Sequence, residues 1–509
     1  MTASDLMAAL GPRLSNTKLI VVANREPYIH VKRTEPPRRR GLLSWFTGTR
    51  ERTTLSWMRP ASGLVTALDP VMRACGGTWI AHGSGSGDRD VVDERGRVPV
   101  PPDDPSYTLR RVWLTPEEEE GYYYGLANNA LWPLCHIAYA RPEFDRRDWQ
   151  QYTRVNQRFA NTVIDEIGSS RAIVFVQDYH FALLPRLVKE ARPDAIVCQF
   201  WHIPWPNAEA FRICPWSEEI VDGLLGNDLL GFHIQYHCNN FFGTVDTTIE
   251  ARIDREHFAV VRRGHRTFVK PFPISIDPEP WARLPKGRTR EADVRQTRER
   301  LELGDARIIF GVDRLDYTKG IPERIKAFER MLEHNPEWRG RVTMLQVGAP
   351  SREHLQRYQS ISDDVDVAVK AINERFGTDA WRPVIYLRQH HGPEDVAALY
   401  RAADVCVVSS LHDGMNLVAK EFIASRPDLR GVLVLSRFTG AARELREAVD
   451  VNPFAVDEFA GVLHQALTMP EAEQERRMRA LRTRVEEHTI YDWAAQVIQA
   501  AWRMSEAAA

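Results

Sequence analysis

Two short segments in the second half of this 509-residue chain combine cations, carboxylates and glycine at the spacing of a ligand site. In the first, the apolar run RIIFGV (307–312) leads into Asp313-Arg314-Leu315-Asp316-Tyr317-Thr318-Lys319-Gly320, and a helix-period pattern follows. Arg314 and Lys319 then stand beside a helix N-terminus, whose first N–H groups have no partner inside the helix. Two cations and free N–H groups make an anion site suited to a pyrophosphate. Arg314 could equally pair with Asp313 or Asp316, and the spacing alone weighs the two readings evenly. The second segment is VVSSLHDGMNLVAKEF (407–422). A strand-like run ends near Ser410, His412-Asp413-Gly414 makes a turn, and a helix begins near Asn416. Glycine lets a backbone come close to a ligand. The N–H groups from Met415 through Asn416 and Leu417 to Val418 are unpaired donors, Glu421 can accept from both hydroxyls of a ribose, and Asp413 can accept from a sugar hydroxyl. Each feature also has a structural reading: Glu421 complements the helix dipole, and Asp413-Gly414 is a turn residue pair.

The first half holds further candidates. Arg25 follows an apolar run in VVANREPY, and Gly63 in Ser62-Gly63-Leu64-Val65 precedes a helical pattern, where a glycine could let backbone approach a phosphate. Two more apolar runs end in Gln177-Asp178-Tyr179-His180 and in His202-Ile203-Pro204-Trp205-Pro206, polar ends stiffened in the second case by proline. Tyr122, Tyr123, Tyr124 and Trp132 crowd one helix–loop region, as core or as a platform for sugar rings.

The elements that must position these groups are legible as runs of four to seven apolar, β-branched-rich residues: LIVVAN (19–24), AIVFVQ (172–177), AIVCQFW (195–201), DLLGFH (228–233), RIIFGV (307–312), VTMLQV (342–347), VIYLR (384–388), VCVVSS (405–410) and VLVLS (432–436). Apolar on both faces, they read as buried strands of parallel sheets. Helix-period segments alternate with them, as after Gly320, where Ile321, Ile325, Phe328, Met331 and Leu332 share a face and Pro322 suits a first turn. The fold class is therefore α/β. The alternation thins between 277 and 305, where prolines and charge fit a linker into a polar helix. The boundary is placed near 278, giving domains 1–277 and 278–488, with the cleft between them as the expected site. Residues 31–58, rich in Arg and Lys around Trp45 and Phe46, read as a long inserted loop with a solvated basic face; a single-strand nucleic-acid contact is the competing reading.

Composition narrows the function classes. Apolar residues are 43% and charged residues 27%, globular values that exclude intrinsic disorder. A net charge of −2 removes the broad electrostatic case for a nucleic-acid or membrane-surface partner. No apolar run reaches the ~20 residues of a membrane span, and no secretory leader is expected from Met1 to Ser15. Six singly scattered cysteines suggest buried thiols in a reducing cytoplasm.

The strings VDRLDYTKGIPER, LHDGMNLVAKE, YYYGLANNALWPLCH, QDYHFALLP and FWHIPWP together resemble the retaining glycosyltransferases of trehalose-6-phosphate synthase type, family 20, over about Leu19 to Trp502. The resemblance implies the GT-B fold, two Rossmann-like domains facing across a cleft, with a C-terminal helix (489–509) returning to the first domain. It implies a nucleotide sugar, usually UDP-glucose, in the second domain. Arg314 and Lys319 would hold its diphosphate, Glu421 its ribose, and His202 and Asp413 the glucosyl hydroxyls, with backbone at Gly63, Asn416 and Leu417 approaching phosphate or sugar. Arg25, His82, Tyr123, Trp132, Asp178 and Arg352 match positions for glucose 6-phosphate. It further implies front-face transfer in which the leaving diphosphate helps to take the acceptor proton, no cofactor, no metal-ligand cluster, and a homodimer or homotetramer. The chain stops near its last helix, so no fused phosphatase domain is expected.

Three residues depart from the pattern: His82 stands where the family has tryptophan, Ser62 where it has the first of two glycines, and Gln177 where it has histidine. The donor half keeps the pattern and the acceptor half is altered. A related transferase using glycerol 3-phosphate or another phosphorylated acceptor is therefore the second reading, and REPY is similar to glucosylglycerol-phosphate synthases. A non-catalytic regulatory relative is the third; the retained Arg314, Lys319, Asp413 and Glu421 count against it.

Overall fold

A computed structural model describes residues 1–35, 52–60, 63–352 and 355–508. Ser62 and most of the 31–58 insert, with Trp45 and Phe46, lie outside the described residues. The first half builds a ten-stranded sheet. Seven parallel strands run in the order His265–Pro271, Leu229–Phe232, Ile196–Phe200, Arg171–Gln177, Thr17–Arg25, Thr78–His82 and Tyr107–Val112. Antiparallel strands close both edges: Arg97–Val100 on one side, and Arg252–Asp254 with Ala259–Arg262 on the other.

The second half builds a six-stranded, all-parallel sheet in the order Val384–Leu387, Val342–Ala349, Arg307–Arg314, Val405–Val408, Val432–Ser436, Val449–Val451. Numbered within this half, the order is 3-2-1-4-5-6. The chain therefore winds outward in both directions from Arg307–Arg314, and the crevice between this strand and Val405–Val408 is a topological switch point where α/β sheets bind ligands. The two ligand-type segments read from sequence, 313–320 and 409–421, leave these two strands. In the first sheet the same reversal occurs at Thr17–Arg25, whose neighbours are Thr78–His82 and Arg171–Gln177.

The apolar runs form strands because helices cover both faces. Ile308, Ile309 and Phe310 are buried, as are Val405 to Val408. The helix Ile321–His334 buries Ile321, Ile325, Phe328, Met331 and Leu332 with Pro322 in its first turn, matching its periodicity. Gly320 before it adopts φ 63°, and a Cβ there would lie 2.2 Å from the Ser409 carbonyl oxygen, so glycine is required.

Several elements escape a search for apolar runs. Thr78–His82, Arg97–Val100 and Tyr107–Val112 are strands with charged or aromatic residues among the buried ones; Arg110 and Arg111 are themselves buried in ion pairs. The insert is not loop throughout. Ile29–Glu35 pairs antiparallel with Arg52–Met58, because β-branched and aromatic residues alternate there and the Trp57 ring meets Tyr28 edge-on at 5.6 Å. The aromatic-rich region is continuous helix from Pro116 to His136, π-helical over Glu120–Leu131.

The last helix, Ile490–Ala508, returns to the first half. Trp493 donates to the Phe272 carbonyl at 3.2 Å and packs against Phe175 and Phe200, and Asp492 pairs with the amino terminus at 3.1 Å. Among the described residues no helix is long and apolar enough to cross a membrane.

Candidate active site

The carboxyl ends of the two switch-point strands face each other across the cleft. On the second-half side, Lys319 Nζ lies 2.6 Å from Asp413 Oδ2, joining the two sequence segments. Asp413 also accepts from Ser410 Oγ at 3.1 Å and Asn416 Nδ2 at 3.3 Å. Burial alone would raise the Asp413 carboxyl, but Lys319 above all holds it well below the usual carboxylate range. Asn416, at φ 85°, caps the helix Leu417–Ala424 by accepting from the Ala419 N–H. Glu421, one turn in, accepts from the Tyr400 hydroxyl at 3.1 Å, and burial lifts its carboxyl to about 7.

Among the described residues Arg314 makes no direct ion pair with Asp313 or Asp316, though, against the opposing effect of burial, its charge helps that of Arg352 to hold the Asp316 carboxyl down. Asp313 pairs instead with the buried Arg324, at 2.8 Å, and the Arg314 guanidinium lies over the Trp132 ring, 5.7 Å from its centroid. Arg324 is a residue that sequence reading missed. It donates to Asp313, to Gln346 Oε1 at 2.8 Å and to Ser409 Oγ at 3.0 Å; Ser409 in turn donates to the Gly320 carbonyl at 2.8 Å. One buried guanidinium thus ties three strand ends to the Lys319-Gly320 turn. Its signal was its place on the helix face otherwise made of Ile321, Ile325 and Phe328.

The opposite wall comes from the first half. Arg25 and His82 are register partners on adjacent parallel strands. Arg25 donates to the Tyr123 hydroxyl at 3.0 Å. His82 Nδ1 lies 3.2 Å from the Val112 carbonyl oxygen, and its Nε2 is 3.9 Å from Glu119. Asp178, at φ 70°, accepts from the backbone N–H groups of Tyr179 and His202 at 3.0 and 3.1 Å, yet burial lifts its carboxyl to about 7. His202 places Nε2 2.9 Å from Gln177 Oε1, and burial holds its ring down at about 3.

Arg352 belongs to the second half but enters this wall. Its guanidinium lies 4.5 Å from the Trp132 centroid and 3.7 Å from Asp316, and hydrogen-bonds the Tyr358 hydroxyl. Arg314 and Arg352 therefore both lie close to the Trp132 ring. Burial opposes ionisation of Tyr123, but Arg352, Arg25 and Arg314 draw its hydroxyl down to about 8. A phenol titrating so low reports a concentration of positive charge, the environment that takes a phosphate. His180 stacks on Tyr123 at 5.7 Å between ring centroids. Placing Tyr123 and Trp132 on one continuous helix is what sets both rings against these arginines.

Two glycines sit in different surroundings. Gly414 is required, but for a contact within the protein: a Cβ would lie 2.2 Å from the His202 carbonyl oxygen across the cleft. Gly63 opens the helix Gly63–Cys75, and a Cβ there would make only ordinary contact with Leu417 Cδ1 at 3.8 Å. The halves also meet where His412 Nδ1 lies 2.7 Å from the His136 carbonyl oxygen and where Arg357 pairs with Glu143 at 2.6 Å.

A cavity of about 890 Å³ lies elsewhere, at the amino ends of the second-half strands, beside Arg307, Asp404 and Gly431. Its charges are matched: Arg290 pairs with Asp428 at 2.8 Å and Arg430 with Glu471 at 2.5 Å. Ligands of open α/β sheets bind at the carboxyl ends, so the cleft is the stronger site. Among the described residues, no three His, Cys, Asp or Glu side chains are grouped as metal ligands.

The glycosyltransferase family 20 model matches residues 18–503. A trehalose-6-phosphate synthase of Mycolicibacterium vanbaalenii is 39% identical over 498 residues, covering 96% of each chain. Among solved structures, a UDP-forming α,α-trehalose-phosphate synthase from Burkholderia xenovorans in complex with glucose 6-phosphate superposes with a TM-score of 0.82 at 30% identity, covering 95% of this chain and all of that one. An E. coli structure bound with UDP-2-fluoro glucose reaches 0.82 at 28% identity, covering 95% and 99%.

Proposed function

The chain belongs to glycosyltransferase family 20, and from that premise we propose that it transfers glucose from UDP-glucose to glucose 6-phosphate with retention, yielding α,α-trehalose 6-phosphate. It is a glycosyltransferase of the trehalose-phosphate synthase type with the GT-B fold. Residues 278–488 would hold the nucleotide sugar and residues 1–277 the acceptor, with Arg352 reaching across. One observation carries this reading: the guanidinium groups of Arg314, which leaves the donor-side strand, and of Arg352, which acts on Tyr123 together with Arg25, both lie at the Trp132 ring, 5.7 and 4.5 Å from its centroid. A cation proposed for the diphosphate and one proposed for the phosphate monoester thereby share one aromatic ring.

In the transfer, the bond from the glucosyl C1 to the diphosphate oxygen breaks and the acceptor hydroxyl oxygen bonds to C1 on the same face. The hydroxyl proton passes to the departing diphosphate. Arg314, Lys319 and the first N–H groups of the helix Leu417–Ala424 would carry the charge that grows on the leaving group, a preorganised electrostatic role. Asp413 supports this division of labour. Ionised and tied to Lys319, it suits a hydroxyl acceptor and a fixer of the lysine, and it has no proton to give. Glu421 would accept from the ribose, His202 from a glucosyl hydroxyl, and Asp178 would orient the acceptor beside Arg25 and Tyr123.

His82 favours a second reading in which the acceptor is another phosphorylated alcohol, such as glycerol 3-phosphate. Its imidazole, near Glu119, gives the acceptor wall a polar group of a different shape from the indole of the family pattern. Incubation with UDP-glucose and each acceptor, followed by UDP release, tests both. Release with glucose 6-phosphate is expected; release only with another acceptor replaces the first reading, and none with any acceptor removes both.

A further inference from the structure

The histidine at the heart of the cleft is held at three points, and the third fixes its chemistry. The His202 backbone N–H donates to Asp178 Oδ1 at 3.1 Å, and its carbonyl oxygen lies 3.0 Å from His233 Nε2. Its ring places Nε2 2.9 Å from the side-chain oxygen of Gln177, a fully buried residue. The amide orientation follows from a second, longer contact: Gln177 Nε2 lies 3.4 Å from the Phe175 carbonyl oxygen, where a flipped amide would set two oxygens against each other. In this orientation Oε1 of Gln177 faces the ring and can only accept, which assigns the ring proton to Nε2 of His202. Nδ1 then holds a lone pair; it makes no hydrogen bond among the described residues and is not sealed from solvent.

We infer that Gln177 is a positioning residue that locks His202 as the Nε2–H tautomer, making Nδ1 a hydrogen-bond acceptor for a hydroxyl of the bound sugar. The inference rests on the proposed place of His202 at the glucosyl group. It goes further in assigning the direction of that hydrogen bond and the residue that sets it. A neutral imidazole with one nitrogen engaged presents a single acceptor of fixed direction, so it distinguishes a hydroxyl that can donate from an ether or a fluoro substituent that cannot. The titratable groups facing the ring are Asp178, His180 and His233.

The test is a long-range ¹H–¹⁵N correlation spectrum of the full-length protein labelled with ¹⁵N-histidine, the His202 signals being identified by their loss in His202→Phe. A protonated Nε2 and an unprotonated Nδ1 are expected in the wild-type protein, and a mixture of tautomers in Gln177→Met. Gln177→Glu should place a carboxylate against Nε2–H and draw a second proton onto Nδ1. It should lower kcat/KM for the nucleotide sugar about tenfold near neutrality, with recovery as pH rises and that proton leaves. A wild-type proton on Nδ1, or an Nε2–H tautomer that persists unchanged in Gln177→Met, overturns the inference. The wild-type spectrum decides the first point even if a variant folds poorly. Neither spectral readout depends on turnover, so failure of the glucosyl assignment appears separately, as unchanged kcat/KM in His202→Phe.

Discussion

The two walls of the cleft handle charge in opposite ways. On the second-half side, cations are matched to carboxylates before any ligand arrives: Lys319 to Asp413 at 2.6 Å and Arg324 to Asp313 at 2.8 Å. On the other side Arg25, Arg314 and Arg352 gather around Tyr123 and Trp132, where Asp316 lies 3.7 Å from Arg352 and Asp178 feels both Arg352 and Arg314. A matched site is rigid and keeps its geometry when empty. An arginine-rich site sheltered by aromatic rings is poised for an anion, because the guanidinium groups give up little hydration on binding one. The difference suits a donor whose leaving group must be stabilised in a fixed place and an acceptor that must be captured by its phosphate.

The largest effect should come from removing the cations proposed to hold the leaving diphosphate, Lys319 on the matched side and Arg314 beside Trp132. Lys319→Ala or Arg314→Ala is expected to lower kcat by about 10²-fold or more, as loss of a preorganised charge at a leaving group does. Lys319→Ala also strands Asp413, so a lower melting temperature should accompany it; unchanged kinetics in both variants would refute the diphosphate assignment. On the arginine-rich side, Arg352→Ala should raise KM for the phosphorylated acceptor about 30-fold, the worth of roughly 2 kcal/mol for a charged hydrogen bond. It should leave KM for the nucleotide sugar nearly unchanged, and an equal rise in both would erase the distinction between the walls.

A smaller, pH-dependent effect follows from Tyr123, whose hydroxyl ionises at about 8. Below that pH the phenol is neutral and the arginine charge is available to a phosphate. Above it the phenolate offsets that charge, so KM for the acceptor should climb by up to about tenfold per pH unit, and Tyr123→Phe should flatten the climb. The same shift should make folding stability rise between pH 8 and about 10, where the unfolded chain still holds the proton, again only with Tyr123 present. The smallest effect belongs to Gly63→Ala. Its Cβ makes ordinary contact with Leu417, so stability should change by less than about 1 kcal/mol in thermal melts. A fall in kcat/KM in that folded variant would place substrate against the backbone at residue 63.

Legibility in the sequence followed chain locality. The segment from Arg307 to His334 reads correctly as strand, cationic turn and helix because its apolar period, Gly320 and Pro322 are all local signals. Asp413, Asn416 and Glu421 lie at the expected turn and helix start for the same reason. Arg324 was missed because it occupies a core position of an amphipathic helix, where a charged residue looks like an exception. The strand Tyr107–Val112 was missed because buried ion pairs, such as Arg111 with Glu26 at 2.7 Å, let charged residues sit where only apolar ones were sought, and Thr78–His82 because its apolar run, Trp79 to Ala81, is only three residues long. The hairpin flanking the insert was hidden by its lysine and arginine content, although its alternation was present.

What the sequence determined alone was the alternating α/β architecture and the turn chemistry at the ends of individual strands, since backbone propensity, burial pattern and helix starts act over a few residues. Only the tertiary structure decided that Lys319 faces Asp413, that Gln177 faces His202, and that Arg352 crosses from the second half to lie on Trp132. Those meetings depend on strand order and on how two sheets oppose each other. Such geometry is set by many distant packing contacts at once, and no spacing along the chain records it.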